Sequence, residues 1–253
     1  MKLAVAGGTG TVGQHVVAVA REAGHEVRIL SRSKGVDLTA GGGLAGVLEG
    51  TDAVIDVTST ASQSDRRSRE FFATVTGNLL AAGRTAAVPH HLALSIVGSD
   101  RAPFGYYAGK KVQEDLVSSG SVPWTILRAT QFHEFAHQIH GRSGLGPLHP
   151  VPAMVSQPVA AREVAQRLVS LAEGGPAGRP ADLAGPETLR MVDMVRAYAS
   201  AVGRRGVILE FPLPGGFGRA LRDGTLLTSG SADRGTQTYA DWVSRLGQAS
   251  RAR

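Results

Sequence analysis

Three glycines spaced by three, Gly7, Gly10 and Gly13, stand in the opening stretch MKLAVAGGTGTVG. Glycine lets a backbone come close to a phosphate because no Cβ stands in the way. A helix that starts at such a turn also points its unpaired N–H groups and positive dipole end at the anion. Gly7 suits the tight turn, Gly10 the approach to a pyrophosphate and Gly13 the close packing of helix on strand, with Thr9, Thr11 and Val12 completing the turn. The flanks make this a dinucleotide-binding signature rather than a common Gly-rich turn. An apolar run, Leu3 to Ala6, precedes it, and helical apolar spacing through Val12, Val16, Val17, Val19 and Ala20 follows. Gly24 ends that helix, and a second apolar run, Val27 to Leu30, closes a βαβ unit of about thirty residues.

The end of the second strand chooses between dinucleotides. An NAD site needs an acid there for the ribose hydroxyls, and an NADP site a cation for the 2′-phosphate. The residues are Ser31, Arg32, Ser33 and Lys34, with no carboxylate, and the planar guanidinium of Arg32 suits a phosphate. NADP(H) is therefore the expected cofactor, a solvated surface Arg32 being the alternative. Asp37, followed by Leu38, either faces the adenine amino group or serves as a turn residue. His133, His137 and His140 share one helix face, and His149 lies in the following loop. Metal binding needs a further ligand that no acid at the right spacing supplies, so no metal is expected and these histidines read as pocket-lining or solvated. Their segment follows the sixth expected strand, at the sheet edge where ligands bind, which makes Gln131, Phe132 and His133 candidates for nicotinamide or substrate contacts. Phe211 to Phe217 (FPLPGGF) either caps the pocket or connects subdomains.

These residues need a sheet and helices to position them. Val36 to Leu38 reads as a minimal strand and Leu44 to Leu48 as a short helix. TDAVIDVT (Thr51 to Thr58) reads as a buried strand ending in the Ser/Thr cluster Thr58, Ser59 and Thr60. A helix over 65–83, a strand from His91 to Gly98, a helix from Pro103 to Gly120 and a strand from Val122 to Thr130 follow. This alternation specifies an α/β fold with a doubly wound parallel sheet. Beyond it are a helix from Gln131 to about His140 and a Gly/Pro-rich lid, Gly141 to Pro158. An amphipathic helix, AREVAQRLVSLAEG, a short strand in Asp182 to Glu187, a helix TLRMVDMVRAYASAVG and smaller elements complete the chain. The expected division is residues 1–140 as the NADP-binding core, and residues 141–253 as lid, completing elements and a small, mostly helical substrate portion that does not fold alone.

The 253 residues carry a formal charge of +6 with 42% hydrophobic and 19% charged residues, an ordinary globular balance. The basic residues are scattered and aromatics are sparse, so no nucleic-acid surface is expected. The absence of cysteine excludes disulfides, thiolate nucleophiles and Cys-based metal centres, leaving redox chemistry to a cofactor. The first strand starts at Lys2 and no apolar run reaches the roughly 18 residues that span a bilayer, which points to a cytoplasmic protein.

The AGGTGTVG turn, SRS after the second strand, LSIVG, YYAGKKVQEDL and TILRATQF together resemble the atypical short-chain dehydrogenase/reductases of the NmrA-like type. The resemblance runs from Met1 to about Leu171, and GPE and TYADWVSRL are similar to a bacterial subgroup. It implies an NADP(H) site built from Gly7, Gly10, Gly13, Arg32 and Asp37, with the Ser/Thr cluster near ribose and pyrophosphate. It also implies a Tyr and a Lys one helical turn apart, a spacing met by Tyr106 and Lys110. There the Lys holds the nicotinamide ribose and lowers the Tyr pKa, Tyr gives a proton to the reduced oxygen, and a Ser, here Ser95, orients that oxygen. Tyr107 and Lys111 compete for the same reading. The implied activity is NADPH-dependent reduction of an apolar aromatic quinone or carbonyl, with a link to aromatic polyketide pathways. A dinucleotide-binding redox sensor without turnover is the second reading, and a sugar-nucleotide epimerase or dehydratase the third. The helices carrying Glu70 to Ala82 and Pro103 to Ser119 are those that pair across a two-fold axis in related reductases.

Overall fold

The computed structural model describes residues 1–142 and 148–251. The middle of the expected lid, residues 143–147, lies outside the described residues. In chain order the elements are β1 (Lys2–Ala6), α1 (Thr11–Glu22), β2 (Glu26–Leu30), a 3-10 turn (Arg32–Lys34), α2 (Leu44–Leu48) and β3 (Ala53–Asp56). Then come α3 (Asp65–Thr85), β4 (His91–Ile96), α4 (Tyr106–Ser119), β5 (Trp124–Ala129) and α5 (Phe135–Arg142). The rest is β6 (Leu148–Pro152), β7 (Val155–Ser156), α6 (Ala161–Gly174), β8 (Leu183–Ala184), β9 (Leu189–Arg190), α7 (Met191–Ala201), β10 (Val207–Phe211), α8 (Gly215–Arg222), β11 (Asp233–Arg234) and α9 (Tyr239–Arg251).

The main sheet is parallel with strand order β11-β8-β5-β4-β3-β1-β2, the Rossmann-like α/β architecture expected from the alternating pattern. Its central strands are apolar on both faces, as a sheet covered on both sides requires: Leu3 to Ala6 and Ala53 to Ile55 are all buried. On one face Leu30, Leu44, Leu48, Val54, Val75 and Leu79 form a continuous core. Each such side chain contributes about 1.5–3 kcal/mol when fully buried.

The chain returns from β2 to add β3 on the far side of β1, so the order reverses between β1 and β3. At such a switch point the loops leaving the carboxyl ends of two strands separate and leave a crevice. The strand expected over Val36 to Leu38 is not formed. Asp37 accepts hydrogen bonds from the amide and hydroxyl of Thr39 at 2.9 and 2.7 Å, a local turn that competes with extended pairing, while Leu38 drops into the core.

The chain forms two compact units, Met1–Arg128 with Arg162–Ala181, and Ala129–Ala161 with Asp182–Arg253. The expected boundary after residue 140 thus falls inside the second unit, and α6 belongs almost wholly to the first. Two side-chain contacts tie α6 there, the ion pair of Arg162 with Glu22 at 2.6 Å and the hydrogen bond of His25 with Glu173 at 2.9 Å. Within the first unit α3 and α4, the helices expected to pair across a two-fold axis, pack on each other. A Cβ on Gly109 would lie 2.5 Å from the Phe72 ring and 2.7 Å from Ser68 O. In the second unit β6 pairs with β10 in parallel and β7 with β9 in antiparallel, and the Tyr239 hydroxyl of α9 donates to Met194 O of α7 at 2.9 Å.

Candidate active site

The Gly-rich turn leaves β1 at Gly7, whose φ of +79° is a left-handed conformation that other residues adopt only at a cost. Gly7 N–H donates to Leu30 O and Gly10 N–H to Gly7 O, which folds the turn back over the switch point. A Cβ at Gly13 would lie 2.1 Å from Gly7 O, so only glycine allows α1 to start this close. No side chain caps α1, and the first-turn N–H groups of Thr11, Val12 and Gly13 have no partner within a helix. Thr9, Gly10 and Thr11 are exposed at the crest. Beside it, the backbone of Val57 and Thr58 comes within about 3 Å of the Cβ position of Gly7. Such an arrangement can accept an anionic group at the helix start.

At the end of β2, Ser31 begins the 3-10 turn that displays Arg32 and Lys34 to solvent, and the Ser31 and Ser33 hydroxyls are hydrogen-bonded at 3.1 Å. The hydrogen bonds from Thr39 hold the Asp37 carboxyl below its usual range, with a smaller contribution from the charge of Arg32.

α4 brings Tyr106 and Lys110 to the loop after β3. The Tyr106 hydroxyl is hydrogen-bonded to Ser59 Oγ at 3.3 Å, and its ring meets the edge of Phe72 at 5.7 Å. Burial pushes the Tyr106 phenol up to about 12, the Ser59 hydrogen bond pulling it down and the Asp56 charge adding to the rise. Lys110 is 3% exposed. Its ammonium donates to Leu94 O and Gln113 Oε1 at 2.8 Å each and to Thr58 O at 3.3 Å, and stands 4.4 Å above the Phe72 ring. Burial lowers its pKa to about 8, against the charges of Asp56 and Glu114, which raise it. Lys111, by contrast, is turned outward into an ion pair with Asp115 at 2.6 Å. Of the two competing pairs, Tyr106 and Lys110 face this cluster.

The other candidates are dispersed. Thr58 N–H and Oγ1 both donate to Asp56 Oδ1, at 2.9 and 2.6 Å, and Thr60 Oγ1 accepts from Ser62 N–H. Ser95 is not brought to Tyr106. Its hydroxyl donates at 2.6 Å to Glu114, a buried carboxylate that also binds Ser99, Arg128 and Arg179. In the second unit Gln131 Oε1 accepts from Ser156 Oγ at 2.8 Å, and Phe132 bridges to Val159. His133 is wholly buried, with Nε2 3.1 Å from Pro158 O and its ring against Tyr239 and Trp242, so it packs that unit's core. Phe211, at the end of β10, is 37% exposed. His137 stacks on Tyr198 and His140 on His149, and the described residues contain no cluster that could hold a metal ion. Two residues of the cluster were not expected from sequence, Asp56 and Gln113. The signal for the first is a carboxylate inside an otherwise apolar strand, AVID.

Residues 3–118 match the model of the NAD dependent epimerase/dehydratase family. That stretch runs from β1 to the last turn of α4 and so contains both the Gly-rich turn and the Tyr106 and Lys110 pair. No curated protein matches the chain. Among solved structures it is similar to a UDP-N-acetylglucosamine 4-epimerase from Bacillus cereus, at 17% identity and a TM-score of 0.72 over 100% of this chain and 97% of that one. It is equally similar to an NADPH-dependent quinone oxidoreductase from Escherichia coli, at 17% identity and a TM-score of 0.71 over 96% and 99%. A UDP-glucose 4-epimerase from Bifidobacterium longum gives 14% identity and a TM-score of 0.75 over 99% and 98%. At these identities the likeness is one of fold. Among the described residues no helix is long and apolar enough to cross a membrane.

Proposed function

We propose that this protein is an NADPH-dependent reductase of an apolar aromatic quinone or carbonyl compound. The observation that carries the reading is the meeting of Lys110, Tyr106 and Ser59 at the end of β3, beside the Gly-rich turn. The turn fits a pyrophosphate, because its helix start is uncapped and its crest, Thr9, Gly10 and Thr11, is exposed. Gly7, Thr9, Gly10, Thr11, Val12 and Gly13 would hold the phosphates, with Thr58, Ser59 and Thr60 close by. Exposed Arg32 and the absence of a carboxylate after β2 favour the 2′-phosphate of NADP(H) over NAD(H). When bound, the reduced nicotinamide supplies a hydride.

Lys110 can bind ribose hydroxyls by exchanging its longest hydrogen bond, that to Thr58 O. Tyr106 is a neutral phenol at physiological pH, and its raised pKa makes it a weak acid. A quinone suits such a site, because hydride addition gives a hydroquinone anion stable enough to take its proton from solvent. The quinone oxidoreductase of the same fold supports this choice of substrate class.

The test is oxidation of NADPH by a panel of quinones and aromatic ketones, with wild type, Tyr106→Phe and Lys110→Ala side by side. Turnover of quinones is expected, reduced at least about tenfold in Lys110→Ala and less than about threefold in Tyr106→Phe. A second reading, a dinucleotide-binding sensor, is favoured by the full hydrogen-bond complement of Lys110. It gains if NADPH and NADP bind with different affinities while no acceptor oxidises NADPH. Tightly retained NAD(H) together with interconversion of a UDP-sugar would reject both.

A further inference from the structure

A buried ammonium needs acceptors and a counter-charge. The three acceptors of Lys110, Leu94 O, Thr58 O and Gln113 Oε1, are all neutral. Two carboxylates act on it, Asp56 from β3 and Glu114 from its own helix. The Glu114 charge is already matched by Arg128 and Arg179 at 2.7 and 2.8 Å. Asp56 is wholly buried, and among the described residues no Lys or Arg forms an ion pair with it. Its Oδ1 is taken by Thr58, and its Oδ2 accepts from Gln113 Nε2 at 2.8 Å. Gln113, itself wholly buried, therefore lies between the two charges. Its amide has one possible orientation, because a carboxylate only accepts and an ammonium only donates.

We propose that Gln113 is a positioning residue that relays the charge of Asp56 to Lys110, holding the lysine protonated and aimed beside Tyr106 and Ser59. The remaining groups facing this centre do not replace the relay. Phe72 of α3 and the Tyr106 ring offer π faces at 4.4 and 5.8 Å from Nζ, and the Tyr106 phenol is neutral. His91 of β4, near Asp56, is kept toward its neutral form by burial. The functional consequence rests on the reading of Lys110 as the dinucleotide-holding lysine, whereas the relay itself is a property of the chain alone.

The test uses the full chain without dinucleotide and follows unfolding stability against pH. Folded Lys110 releases its proton near pH 8 and an unfolded lysine near 10.5. Between those values the unfolded chain binds more protons, so stability rises with pH across that window. Lys110→Met removes the rise and thereby assigns it. Gln113→Met and Asp56→Asn, which cut the relay, are expected to start the rise at least about one pH unit lower. The double variant Asp56→Asn with Gln113→Glu exchanges amide and carboxylate while keeping every hydrogen bond, and places the charge directly on Lys110. Its onset is expected at or above that of wild type. An unchanged onset in Gln113→Met and Asp56→Asn overturns the proposal, as does an onset below wild type in the exchange variant. If either single variant fails to fold, the exchange variant carries the test alone. A shifted onset without turnover of any acceptor rejects the reductase reading and leaves the relay standing, and turnover with an unshifted onset rejects the relay alone.

Discussion

Glu114 gathers hydrogen bonds from Ser95, Ser99, Arg128 and Arg179 while almost no surface of the residue reaches solvent. Burial alone would raise its carboxyl, but the hydrogen bonds from Arg128 and Ser95, with Arg128's charge and Arg179's hydrogen bond, hold it at about 2. A carboxylate lowered in the folded state stabilises fully above its unfolded value, near 4.5, and loses that contribution as pH falls toward 2. Acid titration of stability is therefore expected to show a loss of about 3 kcal/mol from this group across that window. Glu114→Gln should flatten this limb and cost on the order of 3 kcal/mol at neutral pH by leaving the guanidinium groups without their counter-charge, as read by urea denaturation. Arg32 follows the edge strand β2 and acts through the ligand it would meet. Arg32→Ala is expected to weaken NADPH binding about tenfold or more while leaving NADH nearly unaffected, in parallel fluorescence titrations. Both positions show what residue types disclose. Arg32 is conspicuous in the sequence because it stands where an acid would define the other dinucleotide, and NADPH binding is what tests it. Ser95 was misleading at the level of sequence because a hydroxyl at a strand end serves an orienting role or an ion-pair network equally well.

The packing of α3 on α4 decides where the Tyr106 and Lys110 helix sits. Two glycines of that pair give opposite expectations. Gly109 faces α3, so Gly109→Ala must push α4 away from Ser68 and Phe72, and should destabilise by about 1–3 kcal/mol and lower turnover as Lys110 moves. Gly77, inside α3, has nothing within 4 Å of its Cβ position, so Gly77→Ala should stabilise by about 0.5–1 kcal/mol through helix propensity with activity unchanged. Thermal denaturation beside NADPH oxidation assays separates the two. The elements themselves were legible where physics is local. β1, β3 and β4 read as apolar runs because a parallel sheet buries both faces, and α1 and α6 as helices from their 3.6-residue spacing. The two-residue strands β9 and β11 carry no period at all and exist only through pairing with β7 and β8. α5 starts at Phe135 rather than Gln131, because Gln131 O and His133 N–H are drawn into hydrogen bonds with Val159, a partner far along the chain. Asp56 stayed hidden inside an apolar run because its three hydrogen bonds come from Thr58 and Gln113, the latter on a different element.

At the scale of the whole chain, a formal charge of +6 and a pI near 10.1 give the protein a net positive field. Because basic residues are scattered rather than clustered, this field acts as a general attraction for anions and not as a nucleic-acid groove. Screening then supplies a test that no single substitution provides. At about 0.02 M salt the Debye length is near 20 Å and much of the molecule's charge is felt by an approaching dinucleotide, whereas at about 0.5 M only groups within a few ångströms count. NADPH, with its additional phosphate, should lose affinity more steeply than NADH over that range, by roughly three- to tenfold against a smaller change. The excess slope is expected to shrink in Arg32→Ala, since part of it comes from contact and part from the field. Equal slopes for both dinucleotides, which is a salt-independent preference for NADPH, would instead assign the discrimination to short-range hydrogen bonds at the Arg32 turn alone, and the absence of any preference for NADPH at low salt would remove the basis for NADP(H) altogether.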